Sequence, residues 1–383
     1  MACGVVFSAR ASTGRALLAA LHRRPGREPG GVMIGRSWPR MRCMELSGMR
    51  VTFRRYLRNA ALGWLLTGRT VGGFCRRYSG NRLVAPFWAA GQWRLYMRHR
   101  FATPSFLAAR AALGLVEARD GLILDAPCGM GHFSHYLARL ADPARIVAMD
   151  LDPKSAYAAR RFFVPAAAAV LGWDMNEPLP LEDESVGVIF CVDAFHYVTE
   201  KGALAREFTR ILRRDGVIAI LHLHNSLQKN PAAGTPLSPG EYADLFRGNT
   251  VRMYPEDHFL HAQLRNEPVD LTRSAPPGEL EKAPALMLIV AKDANTLTTL
   301  PPTRTRLAAQ ASNPRLSDLY RAHRRGETVI FERSLPPTLQ DEYPTMDTIL
   351  PPRWVSAAGA PSPPADQQDL LERNVFIDLP ENY

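Results

Sequence analysis

Between residues 122 and 224 short apolar runs alternate with helix-patterned segments, and that rhythm admits few architectures. Apolar runs at 122–126, 145–149, 167–172, 186–192 and 217–223 read as buried strands, while helical periodicity covers 132–140, 153–163 and 200–213 between several of them. Strands joined through helices pair in parallel, because right-handed crossovers lay the helices on both faces of the sheet. The expected fold class is therefore α/β, with a doubly wound, mainly parallel sheet.

The flanks differ from this centre. Residues 86–116 carry two helical patterns, one through Phe87, Trp88, Gly91 and Leu95, and an amphipathic one opened by Thr103-Pro104 and continued by Leu107, Ala111 and Leu115. After 225 come a polar loop, a short helix near 238–247, an extended stretch at 251–264 and a final apolar strand at 285–291. The last two are expected to pair as an antiparallel edge of the same sheet. Residues 294–383 contain twelve prolines, a density that breaks long helices and predicts an irregular Pro-rich extension packed on the core or partly disordered.

Charge divides the chain as well. Residues 1–110 hold twenty Arg, no Lys and only Glu28 and Glu45, a charge of +18, which leaves −8 of the overall +10 for residues 111–383. Such an Arg-rich leader fits a transit peptide, an electrostatic arm for nucleic acid or anionic lipid, or sequence upstream of a later start at Met33, Met41, Met44 or Met49. The expected boundaries are a poorly ordered leader at 1–80, a domain with N-terminal helices at 81–293, and the extension at 294–383. Five scattered cysteines form no CxxC pair or zinc spacing, which favours a reducing, cytoplasmic setting. No apolar run reaches 18 residues, so a membrane-spanning helix is not expected.

The first strand runs into Asp125-Ala126-Pro127-Cys128-Gly129-Met130-Gly131-His132. An acid followed by a Gly-x-Gly turn into a helix lets backbone approach a nucleoside closely. A pyrophosphate loop prefers a third glycine where Ser134 stands, and about twenty residues on the second strand ends at Asp150, suited to ribose hydroxyls. The third strand ends in Trp173-Asp174-Met175, where an acid can accept an adenine amino group and an apolar neighbour can cover the ring. Each acid alone could be a helix cap or turn former. Three at the carboxyl ends of consecutive strands lie where open α/β sheets bind ligands.

Over about residues 105–292 the chain resembles the class I S-adenosylmethionine (SAM)-dependent methyltransferases, with a type 11-like core. The similarity rests on Asp125-x-x-Cys128-Gly129-x-Gly131, Asp150, Asp174 with Leu179-Pro180-Leu181, Ala194-Phe195-His196-Tyr197-Val198, and the segment Glu207–Gly216. Arg214 and Asp215 replace the usual Pro-Gly of the last motif, and Gly187 stands where an Asp is common. The resemblance implies a Rossmann-like, seven-stranded sheet with SAM as cofactor. It implies that Asp125, Cys128, Gly129 and Gly131 line the methionine end, that Asp150 and Leu151 hold the ribose side, and that Asp174 and Met175 take the adenine. Asp193, ending the fourth strand, is expected beside the cofactor, and His196 and Tyr197 are the expected catalytic residues. A neutral imidazole has the pKa to remove an acceptor proton, and packing beside the cofactor is the alternative use of His196.

Other residues invite weaker readings. His222 and His224 share a strand face, but no third metal ligand follows from spacing, so no metal is expected. His132 and His135 open the helix after the glycine turn and either line the pocket or pack. Trp88, Trp93 and Tyr96, interleaved with Arg94, Arg98 and Arg100, read as a lid or as helix packing. The expected activity is methylation of a small-molecule acceptor, at oxygen first and carbon or nitrogen second. The competing expectation is an RNA- or lipid-directed methyltransferase, or a non-catalytic binder, that uses the Arg-rich arm. The acidic catalytic half and the absence of an Asn/Asp-Pro-Pro-aromatic motif at Asp193–His196 disfavour nucleic acid.

Overall fold

The computed structural model describes residues 5–8, 32–33, 99–117, 119–229, 234–317, 319–326, 328–334, 352–356 and 364–381. Most of the 1–80 leader, and with it Trp88, Trp93, Arg94, Tyr96 and Arg98, lies outside these residues.

Seven strands form the main body of a nine-stranded sheet: β1 (Leu122–Asp125), β2 (Ile146–Asp150), β3 (Ala169–Gly172), β4 (Val186–Val192), β5 (Leu212–His224), β6 (Thr250–Pro255) and β7 (Ala285–Ala291). Their spatial order is β3-β2-β1-β4-β5-β7-β6, with β1 to β5 parallel. The antiparallel element expected near the edge is β7, which inserts between β5 and β6 and runs antiparallel to both. Beyond β3, Val5–Ser8 adds an antiparallel segment, with Val32–Met33 alongside it.

Alternation along the strands builds two apolar layers. In β4, Val188, Phe190 and Val192 belong to one buried cluster, and Val186, Ile189 and Cys191 to another. A strand whose side chains are all buried must be covered on both faces, which is why these runs read as continuous apolar stretches. One face carries α1 (Pro104–Arg110), α2 (His132–Leu140) and α3 (Pro153–Ala158); the other carries α4 (Lys201–Ile211) and α5 (Pro239–Asp244). The α5 start is fixed by a capping box in which Ser238 and Glu241 bond reciprocally.

Three sequence expectations change. The 104–116 run is not amphipathic: every residue of it is buried, because it continues from α1 into a tight helical turn within the larger apolar cluster. The helix expected at 153–163 is regular only to Ala158 and widens into a π turn over Ala159–Phe163. The extended reading of 251–264 fails after Pro255, where α6 (Glu256–Arg265) begins. Two acids in its first turn complement the helix dipole, and Phe259, Leu260 and Gln263 bury one face.

The described part of 294–381 contains regular elements: a helix at Arg304–Ala309, a hairpin at Tyr320–Arg325 and Thr328–Arg333, and Phe376–Asp378 paired with Pro314–Leu316. Asp378 is buried and joins this extension to α2. Its carboxylate accepts from His135 Nε2 at 3.1 Å, Arg139 Nε at 2.8 Å and the Ser312 and Asn313 amides. No helix among the described residues is long and apolar enough to cross a membrane.

Candidate functional site

The carboxyl ends of β1, β2, β3, β4 and β5 form one edge, and the expected site residues are distributed along it. At the first, the chain turns from Asp125 through a cis Ala126–Pro127 peptide to Gly129 and Gly131, both with left-handed φ (+53° and +90°). A Cβ at Gly129 would meet nothing within 4 Å, whereas one at Gly131 would stand 2.9 Å from the Ala159 Cβ. Gly131 is thus required by packing on the π turn, and Gly129 leaves open space beside the strand end.

Asp125 is buried, and its Oδ2 accepts the Ser134 hydroxyl at 2.5 Å. Its Oδ1 has no partner among the described residues. Burial pushes this carboxyl up to about 7 against the Ser134 hydrogen bonds, and nearby Asp150 adds to the rise. Asp150 Oδ2 accepts the Gly129 amide at 2.8 Å and its Oδ1 the Asp152 amide at 2.9 Å. Its carboxyl is also raised by burial, to about 6. Cys128 is buried, and its thiol is pushed up by burial and by both acids, which keeps it protonated. Leu151, by contrast, is 63% exposed just past β2.

Past β3, Asp174 Oδ1 accepts from the Asn176 backbone and side-chain nitrogens at 2.9 Å each, while Met175 is buried. Asn176 also receives Thr199 and Glu200 amides, tying the β3 loop to the β4 loop.

At β4 and β5 the structure assembles a group that sequence left scattered. Asp193 has φ +54° and its Oδ2 pairs with Arg100 Nη1 at 2.8 Å. Burial works to raise the Asp193 carboxyl, but Arg100 and the neighbouring histidines outweigh it and hold it below the usual range. In β5 a bulge lets Leu221 and His222 together oppose Met287, with His222 at φ +58° and its amide on the Met287 sulfur. The bulge turns His222 toward the face where α6 packs. There Glu256 Oε2 accepts from His222 Nδ1 at 2.5 Å, and His222 Nε2 stands 3.6 Å from Asp193 Oδ1. Burial alone would lower the His222 imidazole; Glu256 and Asp193 overcome it and push it up to about 9.

The rings of His222 and His224 lie 4.8 Å apart, and those of His224 and His196 4.3 Å. His196 is 1% exposed, with neither ring nitrogen bonded to any described residue. Burial, then His224, push it down to about 4, so it is neutral at ordinary pH. Tyr197 is 59% exposed, its ring centroid 4.0 Å from that of His196. His132 packs against Phe101 and Phe163, and His135 is held by Asp378. A cavity of about 470 Å³ near Glu117, Arg139, Arg145 and Arg306 contains none of the rim acids. Glu256 was hidden because its segment reads as extended, and only the paired acids Glu256-Asp257 mark the helix start.

Residues 124–220 match a family model described as a methyltransferase domain. A probable phthiotriol/phenolphthiotriol dimycocerosates methyltransferase 2 from Mycobacterium ulcerans is 35% identical over 98 residues, 25% of this chain and 37% of that protein. A malonyl-[acyl-carrier protein] O-methyltransferase from Yersinia pestis is 38% identical over 97 residues, 25% of this chain and 34% of that protein. The chain thus spans about a third of the length of these two relatives. Among solved structures, a SAM-dependent methyltransferase from Aquifex aeolicus aligns with TM-score 0.35 and 16% identity, over 54% of this chain and 96% of that one.

Proposed function

We propose that this chain, which belongs to the class I SAM-dependent methyltransferases, methylates an oxygen of a small-molecule acceptor. The observation that carries the reading is the rim itself. Asp125, with one oxygen unpartnered among the described residues, sits beside a Gly129 that opens onto free space, and Asp150 is bonded to that same glycine. A buried acceptor atom without a partner is costly, and the ammonium of a methionine moiety would satisfy it.

SAM, when bound, supplies a methyl group on a positively charged sulfur. The protein's part is to hold and align. Asp125 would take the ammonium, Asp150 the ribose hydroxyls, and Asp174 the adenine amine, with Leu151 and Met175 against the ring. Cys128, Gly129 and Gly131 shape the loop between Asp125 and Asp150. Asp193 and the histidines at the ends of β4 and β5 would face the acceptor, and alignment there accounts for much of the rate.

His196, neutral at working pH though burial makes it a weaker base than a free imidazole, would take the proton that an acceptor hydroxyl gives up as its oxygen gains the methyl. Tyr197, exposed beside it, would form part of the acceptor's wall. Oxygen is put first because a neutral imidazole at this end of the sheet suits a hydroxyl, which gives up a proton when it is methylated. The malonyl-[acyl-carrier protein] relative is an O-methyltransferase by name, which agrees with this choice.

The test is titration with S-adenosylhomocysteine, followed by mass spectrometry of SAM incubations with carboxylic, phenolic and amine acceptors. One cofactor site per chain and a methyl ester or ether product support the reading. Absence of cofactor binding, or transfer only to amines, overturns it.

A further inference from the structure

We propose that Asp193, His222 and His224 bind a divalent transition-metal ion at the carboxyl ends of β4 and β5. One ligand atom from each residue lies within 4.8 Å of the others. The closest defined pair, Asp193 Oδ1 and His222 Nε2, is 3.6 Å apart, beyond a hydrogen bond. Donors bound about 2.1 Å from a tetrahedral ion stand roughly 3.4 Å apart, so this pair needs almost no movement to share one.

The surroundings point the same way. Glu256 Oε2 accepts from His222 Nδ1 at 2.5 Å, which leaves Nε2 on the Asp193 side, where an ion would take the place of its proton. A carboxylate behind an imidazole is the usual support of a metal-bound histidine, fixing both its tautomer and its orientation. Arg100 engages Asp193 Oδ2 and leaves Oδ1 facing His222.

His196 gives an independent indication. It is 1% exposed, its ring lies 4.3 Å from that of His224, and neither of its nitrogens is bonded to a described residue. A water or acceptor oxygen carried by the ion would supply the missing partner. Two imidazoles and one carboxylate suit zinc, iron(II), cobalt(II) or manganese(II), whereas magnesium and calcium prefer oxygen ligands throughout.

Three protein ligands leave a position open, as in zinc sites that bind substrate. Ion binding stands independently of the proposed methyl transfer; its use to hold an acceptor oxygen rests on that reading.

The experiment uses the full chain, free of any histidine tag and dialysed against a chelator. Zinc titration is expected to give one ion per chain with a Kd of about 1 μM or tighter, and cobalt(II) a visible ligand-field spectrum. His224→Ala should weaken zinc binding by about 100-fold or more, and Glu256→Gln, which keeps the side-chain shape, by about 10–100-fold.

S-adenosylhomocysteine affinity is measured on the same samples. No binding of zinc, cobalt(II), iron(II) or manganese(II), or equal zinc affinity in wild type and folded His224→Ala, overturns the metal site. Retained S-adenosylhomocysteine binding in that case leaves the methyltransferase reading standing.

Discussion

The Gly129 amide donates to Asp150 Oδ2 at 2.8 Å, so the glycine loop after β1 and the acid ending β2 form one unit. The acid that would hold a ribose also fixes the loop that must leave room for it. Asp150→Ala removes both effects and should weaken SAM affinity by about 1–3 kcal/mol, the range for charge-assisted hydrogen bonds. Isothermal titration checks this, and unchanged affinity removes Asp150 from the cofactor site.

Asp125 carries a pH dependence of definite sign. Its folded carboxyl titrates at about 7, above the value of 3.8 for a free aspartate. As pH falls through 7 the group takes up a proton and loses its attraction for an ammonium, so SAM affinity should drop. Binding near pH 7 should also release a proton, visible as a dependence of titration heat on buffer ionisation.

The same shift disfavours the empty fold above pH 7, where the buried group is charged; that penalty disappears as pH falls toward 4. Asp125→Asn should therefore raise the Tm of the ligand-free protein at pH 8, by about 2–4 °C per kcal/mol recovered, while abolishing tight SAM binding. A Tm that falls instead contradicts a buried, uncompensated carboxylate.

The two loop glycines should respond differently to alanine. Gly131→Ala combines a left-handed backbone with a 2.9 Å approach to the Ala159 Cβ, so thermal unfolding should show a loss of about 2 kcal/mol or more. Gly129→Ala has open space around its new methyl and should cost only about 1 kcal/mol of stability. Its methyl would enter the space proposed for the cofactor, so its main effect should appear in SAM affinity. Equal behaviour in both assays would sink the distinction.

His196→Ala should lower kcat by about 10²–10⁴-fold and change SAM affinity less than twofold. Because burial holds the imidazole near 4, the wild-type rate should show no loss between pH 8 and pH 6 that depends on His196. Full turnover by the variant at saturating acceptor would reduce His196 to packing.

Much of this layout was legible in the amino-acid order, for a physical reason. β4 and β7 span Val186–Val192 and Ala285–Ala291, and α2 spans His132–Leu140, as their patterns predict. Strands buried on both faces leave uninterrupted apolar runs, and the acids at their ends stand out against them. The contacts that gather Asp193, His222 and Glu256 were not legible. A one-residue bulge in β5, which no local pattern marks, brings His222 to Glu256 across 34 positions of chain, and Arg100 reaches Asp193 from a preceding turn. Periodicity reports on neighbours, whereas these contacts depend on how separate elements dock.

The bond between His135 and Asp378 joins positions 243 residues apart, with Arg139 sharing the same carboxylate. Helix α2, which follows the glycine loop, is thus completed by the far end of the polypeptide. Excising residues 122–291 as a minimal unit, or grafting them onto another scaffold, would strip that helix of its anchor. Engineering on this protein has to carry the distal strand along.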